Sequence, residues 1–298
     1  MLYNKVEPKV KFEVYPESDW LPYPHPGFAT RAIHAGQDPE PIHGSVNVPI
    51  HMSSTFAQRD IAEPFGKFDY TRGGNPTREA LEKCMAAVEY GNHAIAFASG
   101  CGATASILHT LYQGDHILVC DDVYGGTQRY IRRFFKEKHG YKADFVDMSK
   151  IDNVKNGLTK ETKIVWIESP TNPTIKLIDI AETIKVVKEY NKDIIVVSDN
   201  TFASPFIQNP MLLGADITYN SITKYIGGHS DFVMGALVFK DKAIFDSVFF
   251  ASCSIGACPS PFDCFLALRG LKTLEQRVIC STKNAYHIAH FIEKHPAI

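Results

Sequence analysis

No stretch of about eighteen consecutive apolar residues occurs in the chain, which excludes a membrane-spanning helix of ordinary length. A surplus of either charge is missing too: 31 Lys and Arg face 33 Asp and Glu, a formal net charge of −2. Without a positive excess there is no general grip on a phosphate backbone, so nucleic acid is not an expected partner. The first twenty residues, MLYNKVEPKVKFEVYPESDW, mix charges with prolines and lack the continuous apolar core of a secretory signal. Pairing signals are absent among the seven cysteines (84, 101, 120, 253, 258, 264 and 280), which are odd in number and form no CxxC pair. They predict buried free thiols, no disulfide framework, no metal site and a reducing, cytoplasmic setting. Internal repeats and low-complexity tracts are also absent.

What remains is an ordinary globular composition, 45% hydrophobic and 21% charged, in 298 residues, enough for one large domain or two smaller ones. Prolines recur at 8, 16, 22, 24, 26, 39, 41 and 49 with little apolar periodicity, which predicts an extended N-terminal arm over residues 1–74. At residue 75 the pattern changes. Asn75-Pro76 supplies an N-cap and a first-turn proline, and Ala80, Leu81, Cys84, Met85 and Val88 fall on one helical face before Gly91. Short apolar runs then alternate with helical patterns. Strands are predicted at 93–98, 116–120, 143–147, 163–167, 194–197, 217–219 and 233–239, and helices at 103–111, 127–138 and 179–190. Strands without polar alternation, spaced by helices, predict an α/β fold with a largely parallel sheet covered on both faces.

Ligands of open α/β sheets bind beyond the carboxyl ends of the strands, so the segments following each strand carry the functional signal. Ser99-Gly100-Cys101-Gly102 opens a helix and is either an anion cradle or an ordinary strand–helix turn. Tyr124, beside Gly125 and Gly126, could lie flat on a ring or simply occupy a turn. In Glu168-Ser169-Pro170-Thr171-Asn172-Pro173, two prolines fix the backbone around Asn172. Asp199 ends a buried apolar strand and must find a partner there. Lys224 sits between Ser221, Thr223 and the pair Gly227-Gly228, where partial desolvation would make its amine a usable nucleophile. A reactive lysine, a buried acid, an aromatic platform and a phosphate cradle together are what pyridoxal phosphate requires.

The motifs are long and ordered: FATRAIHAGQDPE from Phe28, YTRGGNPTR at 70–78, FASG at 97–100 and DDVYGGTQRY at 121–130. They continue with WIESPTNPT at 166–174, SDNTFASPF at 198–206, SITKYIGGHSD at 221–231 and CPSPFDCFLALRGLKTL at 258–274. In them the chain resembles the Cys/Met-metabolism pyridoxal-phosphate family, the transsulfuration enzymes. The resemblance implies the transferase-like large domain of fold type I, with a mostly parallel seven-stranded sheet over residues 75–274. Residues 275–298 would begin an incomplete C-terminal small domain. It further implies that Lys224 is the lysine covalently linked to the cofactor, that Asp199 pairs with the pyridine nitrogen and that Tyr124 stacks on the ring. Ser221, Thr223 and the backbone amides of Gly100 and Cys101 would hold the phosphate. Tyr70 and Arg72 would reach the neighbouring subunit's phosphate, giving a dimer of dimers with shared active sites. Asn172, Arg129, Tyr70 and Glu168 would contact substrate.

The reaction implied is α,γ-elimination of L-cystathionine to L-cysteine, 2-oxobutyrate and ammonia, with possible hydrogen sulfide formation. Siblings in the family are γ-synthases, β-lyases and methionine γ-lyases. Gly126 stands where methionine-cleaving relatives tend to carry cysteine, whereas Gly227-Gly228 departs from the Asn-Gly of many γ-lyases. The family's C-terminal domain supplies an arginine for the substrate carboxylate, and the sequence given ends at Ile298. A truncated, non-catalytic form that binds cofactor or dimerises is therefore the alternative expectation of another class.

Overall fold

A computed structural model of the chain describes residues 27–297; the part of the expected arm at 1–26 lies outside them. The segment that proline spacing predicts to be extended opens instead with a helix, α1 (Phe28–His34). Phe28 and Ala32 are four residues apart, fall on one face and are buried against α2 (Pro76–Val88). A small hairpin, β1 (Gln58–Asp60) and β2 (Glu63–Pro64), follows α1 and is largely exposed. The start of α2 is built as its sequence predicts. The Asn75 side-chain oxygen accepts the Thr77 and Arg78 N–H groups, and Pro76 sits in the first turn. Leu81, Cys84, Met85 and Val88 are wholly buried; each of the larger ones contributes about 1.5–3 kcal/mol.

The central run is β3 (His93–Phe97), α3 (Gly100–Leu108), β4 (His116–Cys120) and α4 (Gly125–Arg129). After a π-helical stretch at Tyr130–Lys136 come α5 (Glu137–His139), β5 (Lys142–Val146), α6 (Ile151–Gly157), β6 (Thr162–Glu168) and α7 (Ile180–Tyr190). Then follow β7 (Ile195–Asp199), α8 (Ser204–Ile207), β8 (Ile217–Asn220), β9 (Gly235–Phe239), α9 (Lys242–Ile255), α10 (Pro261–Leu271) and α11 (Leu274–Glu293). The large sheet has seven strands in the order β3-β9-β8-β7-β6-β4-β5. Only β9 is antiparallel to its neighbours, so the other six strands end at one edge.

Two apolar cores flank the sheet. At the β3–β9 end, Ile95, Phe97, Leu237 and Phe239 enter one core, while Ala94, Ala96, Ala236 and Val238 enter the other. This is the period-two alternation of a sheet covered on both faces. The second core takes in α1, α2, α10 and the first turns of α11, through Leu274 and Val278. Beyond Val278 the large apolar side chains of α11, such as Ile279, Tyr286 and Phe291, are exposed. The expected boundary at 275 thus falls inside a turn that belongs to the core.

Candidate active site

Strand ends fix the site. Apolar content predicts that β7 stops at Val197, but pairing continues: Asp199 lies opposite Glu168 of β6 on one side and Tyr219 of β8 on the other. Two carboxylates are thereby set side by side at the last rung of the sheet, each only 4% exposed. They form the floor of a cleft of about 550 Å³ at the carboxyl edge. Burial pushes both up from the ordinary carboxylate range, and the Asp199 charge makes the ionisation of Glu168 harder still. Asp199 Oδ1 accepts the Thr201 N–H at 3.0 Å. Glu168 gives one oxygen to the Tyr124 N–H at 2.8 Å and the other to the Asn172 N–H at 3.0 Å. Glu168 therefore braces two cleft loops through their backbones.

Those loops carry Tyr124 and Asn172, both of which line the cleft. Asp122 ties the loops together, accepting the Thr171 hydroxyl at 2.6 Å and the Thr174 N–H at 3.1 Å. Lys176 adds a 2.7 Å ion pair to Asp121. The Tyr124 ring lies over Gly126, where a Cβ would meet ring carbon Cε1 at 2.5 Å. The glycine leaves room for the ring in this orientation.

At the start of α3, Ser99 caps the helix: its hydroxyl accepts the Gly102 N–H at 3.0 Å and its carbonyl accepts the Ala103 N–H. Gly100 and Cys101 precede the first intrahelical bonds, so their N–H groups belong to the donor set of the helix end facing the cleft. The Tyr219 hydroxyl occupies the place a Cβ on Gly100 would take. Ser221 lies close by on the same wall. Thr223 also lines the cleft, but its hydroxyl donates to the Met234 carbonyl at 3.1 Å and accepts the Met234 N–H at 3.0 Å. Its proton is already committed to bracing the loop.

Lys224 opens into the cleft and is exposed, where the sequence predicts partial desolvation. Its loop is anchored from α11: the Arg277 guanidinium donates to the carbonyls of Tyr225, Ile226 (3.1 Å) and Gly270 (2.7 Å). Three expected residues stand outside the cleft. Arg129, ending α4, is exposed, as are Tyr70 and Arg72, which precede α2. The Tyr70–Arg72 segment is held by buried Arg78, which donates to the Thr71 carbonyl at 2.7 Å and the Arg72 carbonyl at 3.3 Å. Sequence reasoning overlooked Thr201 and Tyr219. Thr201 joins the strand ends, its N–H on Asp199 and its Oγ1 accepting the Ser221 N–H at 2.8 Å. Tyr219 could have been found as a hydroxyl-bearing aromatic in a buried strand, which needs a partner for its tip.

A lysine on a glycine-bounded loop, a buried acid, an aromatic side chain and helix-start amides beside a serine hydroxyl line one cleft, the kind of set pyridoxal phosphate requires. The donor set fits that cofactor. The sequence profile of the Cys/Met metabolism PLP-dependent enzymes matches residues 29–298, and the chain belongs to that family. It is 49% identical over 270 residues to cystathionine gamma-lyase of Dictyostelium discoideum, covering 90% of this chain and 69% of that protein. Over 275 residues it is 46% identical to cystathionine gamma-synthase of Mycobacterium leprae, covering 91% and 70%. The fold matches the crystal structure of cystathionine gamma-lyase from Lactobacillus plantarum complexed with L-serine. The TM-score is 0.87, with 38% identity and coverage of 91% of this chain and 70% of that one. Among the described residues no helix is long and apolar enough to cross a membrane, and no cluster of His, Cys, Asp and Glu could hold a metal.

Proposed function

We propose that the chain is a carbon–sulfur lyase acting on L-cystathionine by α,γ-elimination, with pyridoxal phosphate held in the cleft between β6, β7, β8 and α3. The observation that carries this reading is the convergence of Lys224, Asp199, Tyr124 and Asn172 on one cleft with the α3 amides. When bound, the cofactor supplies an electron sink for negative charge at the substrate's α-carbon. Lys224 Nζ would be the point of covalent attachment, and its free amine would be the group that moves the α-proton. Asp199 is raised by burial, and a protonated pyridine nitrogen would give it the cationic partner that favours its ionised form. Tyr124 covers the ring and delivers a proton to the departing thiolate. Gly100 and Cys101 N–H and the Ser221 hydroxyl bind the phosphate, with Thr223 holding the loop. Asn172 meets the substrate carboxylate or the ring hydroxyl and Glu168 stands at the substrate side, whereas Arg129 lies outside the cleft and has no role in this reading. Tyr70 and Arg72, exposed on their own subunit, complete the site of a second copy.

The γ-lyase reading is supported by the Dictyostelium relative and by the motifs DDVYGGTQRY and FATRAIHAGQDPE, and Gly126 speaks against methionine γ-lyase. The Mycobacterium relative and the Gly227-Gly228 pair favour a second reading, γ-synthase. Release of 2-oxobutyrate from cystathionine, homocysteine and methionine, of pyruvate from cysteine, and formation of cystathionine from cysteine with an O-acylhomoserine, each measured with the purified chain, separates them. The proposal expects cystathionine to be turned over fastest; cofactor binding without turnover of any of these substrates would overturn the catalytic reading.

A further inference from the structure

Behind the cleft, at the end of α2, Glu89 is wholly buried. Its Oε1 accepts the side-chain N–H groups of Asn200 at 3.0 Å and Asn220 at 2.6 Å. Asn200 follows Asp199, and Asn220 precedes Ser221, so one carboxyl group ties together the two strand ends that enter the cleft. Glu89 Oε2 and Asn220 Oδ1 are both buried without a hydrogen-bond donor. An acceptor pair left facing nothing is costly, and a single proton placed between them would satisfy both.

We propose that Glu89 is a positioning residue held as a neutral carboxylic acid, its Oε2–H donated to Asn220 Oδ1 while its Oε1 accepts from Asn220 and Asn200. Acid and carboxamide close a ring of two hydrogen bonds that sets the spacing of Asp199 from the Ser221–Lys224 loop. Gln208 extends the clamp, donating to Asn200 Oδ1 at 3.0 Å and to the Ser169 carbonyl at 2.8 Å. Burial favours the neutral form, while hydrogen bonding from the side chains of Asn200, Asn220 and Asn209 works the other way and is outweighed. Tyr90, next in the chain, lies under the Arg31 guanidinium at 4.3 Å, and Lys240 after β9 donates to the Met211 carbonyl at 2.6 Å. Asp199 faces the cleft. Burial, with no cation beside it among the described residues, pushes the Glu89 carboxyl up to about 7.

The sign of the resulting pH effect follows. A carboxyl raised in the folded chain contributes fully below its unfolded value and loses that contribution as pH rises through its folded value. The test is urea unfolding of the full-length chain without cofactor, wild type against Glu89→Gln, from pH 4.5 to 8. The amide of Gln reproduces the neutral acid's donor and acceptor but cannot ionise. The stability of wild type relative to the variant is expected to fall across pH 4.5 to 7; a flat or rising difference overturns the proposal. A second arm rests on the proposed cofactor site and is separable from the first. Glu89→Gln should bind pyridoxal phosphate as wild type does, while Glu89→Ala binds about tenfold more weakly. Equal weakening by Gln and Ala at pH 6 overturns the positioning role, and Gln alone carries the test if the Ala variant does not fold.

Discussion

At the residue scale, the adjoining carboxylates Asp199 and Glu168 carry the most information. Both are raised by burial, and Glu168 further by the Asp199 charge, so stability they contribute is present at low pH and lost as pH rises through their folded values. Asn at 199 can still accept the Thr201 N–H but removes one charge. Asp199→Asn is therefore expected to stabilise the cofactor-free chain by about 1 kcal/mol at pH 8 in urea titration, while weakening cofactor binding at least tenfold. Gly126→Cys should push the Tyr124 ring aside and lower turnover several-fold with little change in melting temperature, as steady-state kinetics beside calorimetry would reveal. Asp199 was legible as a cleft-lining residue because an acid ending a buried apolar strand demands a partner, and Tyr124 and Lys224 because each stands near a glycine pair in a loop that follows a strand. Tyr219 and Thr201 were not, since Tyr219 meets Gly100 of α3 and Thr201 meets Ser221 only once the sheet has brought distant segments together. Thr223 was legible as a loop hydroxyl, but its bond to Met234 depends on where β9 begins.

At the element scale, the strands were readable from apolar runs, yet their ends were not. The sequence stops β7 at Val197 because Ser198 and Asp199 are polar; the sheet carries it on because both neighbours supply pairing partners. The start of helix α2 was readable to the residue, since its cap and its buried face are local. Helix α1 was hidden among prolines: seven residues give too little periodicity, and only the α2 surface makes Phe28 and Ala32 an apolar face. Helix α11 holds the Lys224 loop through Arg277, a link spanning 52 positions from Tyr225 that no local pattern announces. Arg277→Met leaves three carbonyls without that donor and should cost about 2 kcal/mol in unfolding free energy. It should also raise the cofactor dissociation constant, read by absorbance titration, whereas an exposed substitution such as Glu293→Gln should change neither.

At the scale of the whole molecule, the sheet order puts six strand ends on one edge and the cleft at their centre, while Tyr70 and Arg72 stay outside it. If those two residues serve a second copy, two defective chains should repair each other. Mixing Lys224→Ala chain with Arg72→Ala chain, after dissociation and reassembly, should restore activity toward half of wild type in hybrid dimers; no recovery would mean that each chain builds its site alone. The central claim is narrower: that Lys224, among all lysines, joins pyridoxal phosphate. Its most direct test is borohydride reduction of the cofactor-loaded chain followed by peptide mass spectrometry. The account predicts one pyridoxyl-phosphate adduct, on the peptide containing Lys224 and lost in Lys224→Ala together with the visible absorbance; an adduct on another lysine, or none, would contradict it.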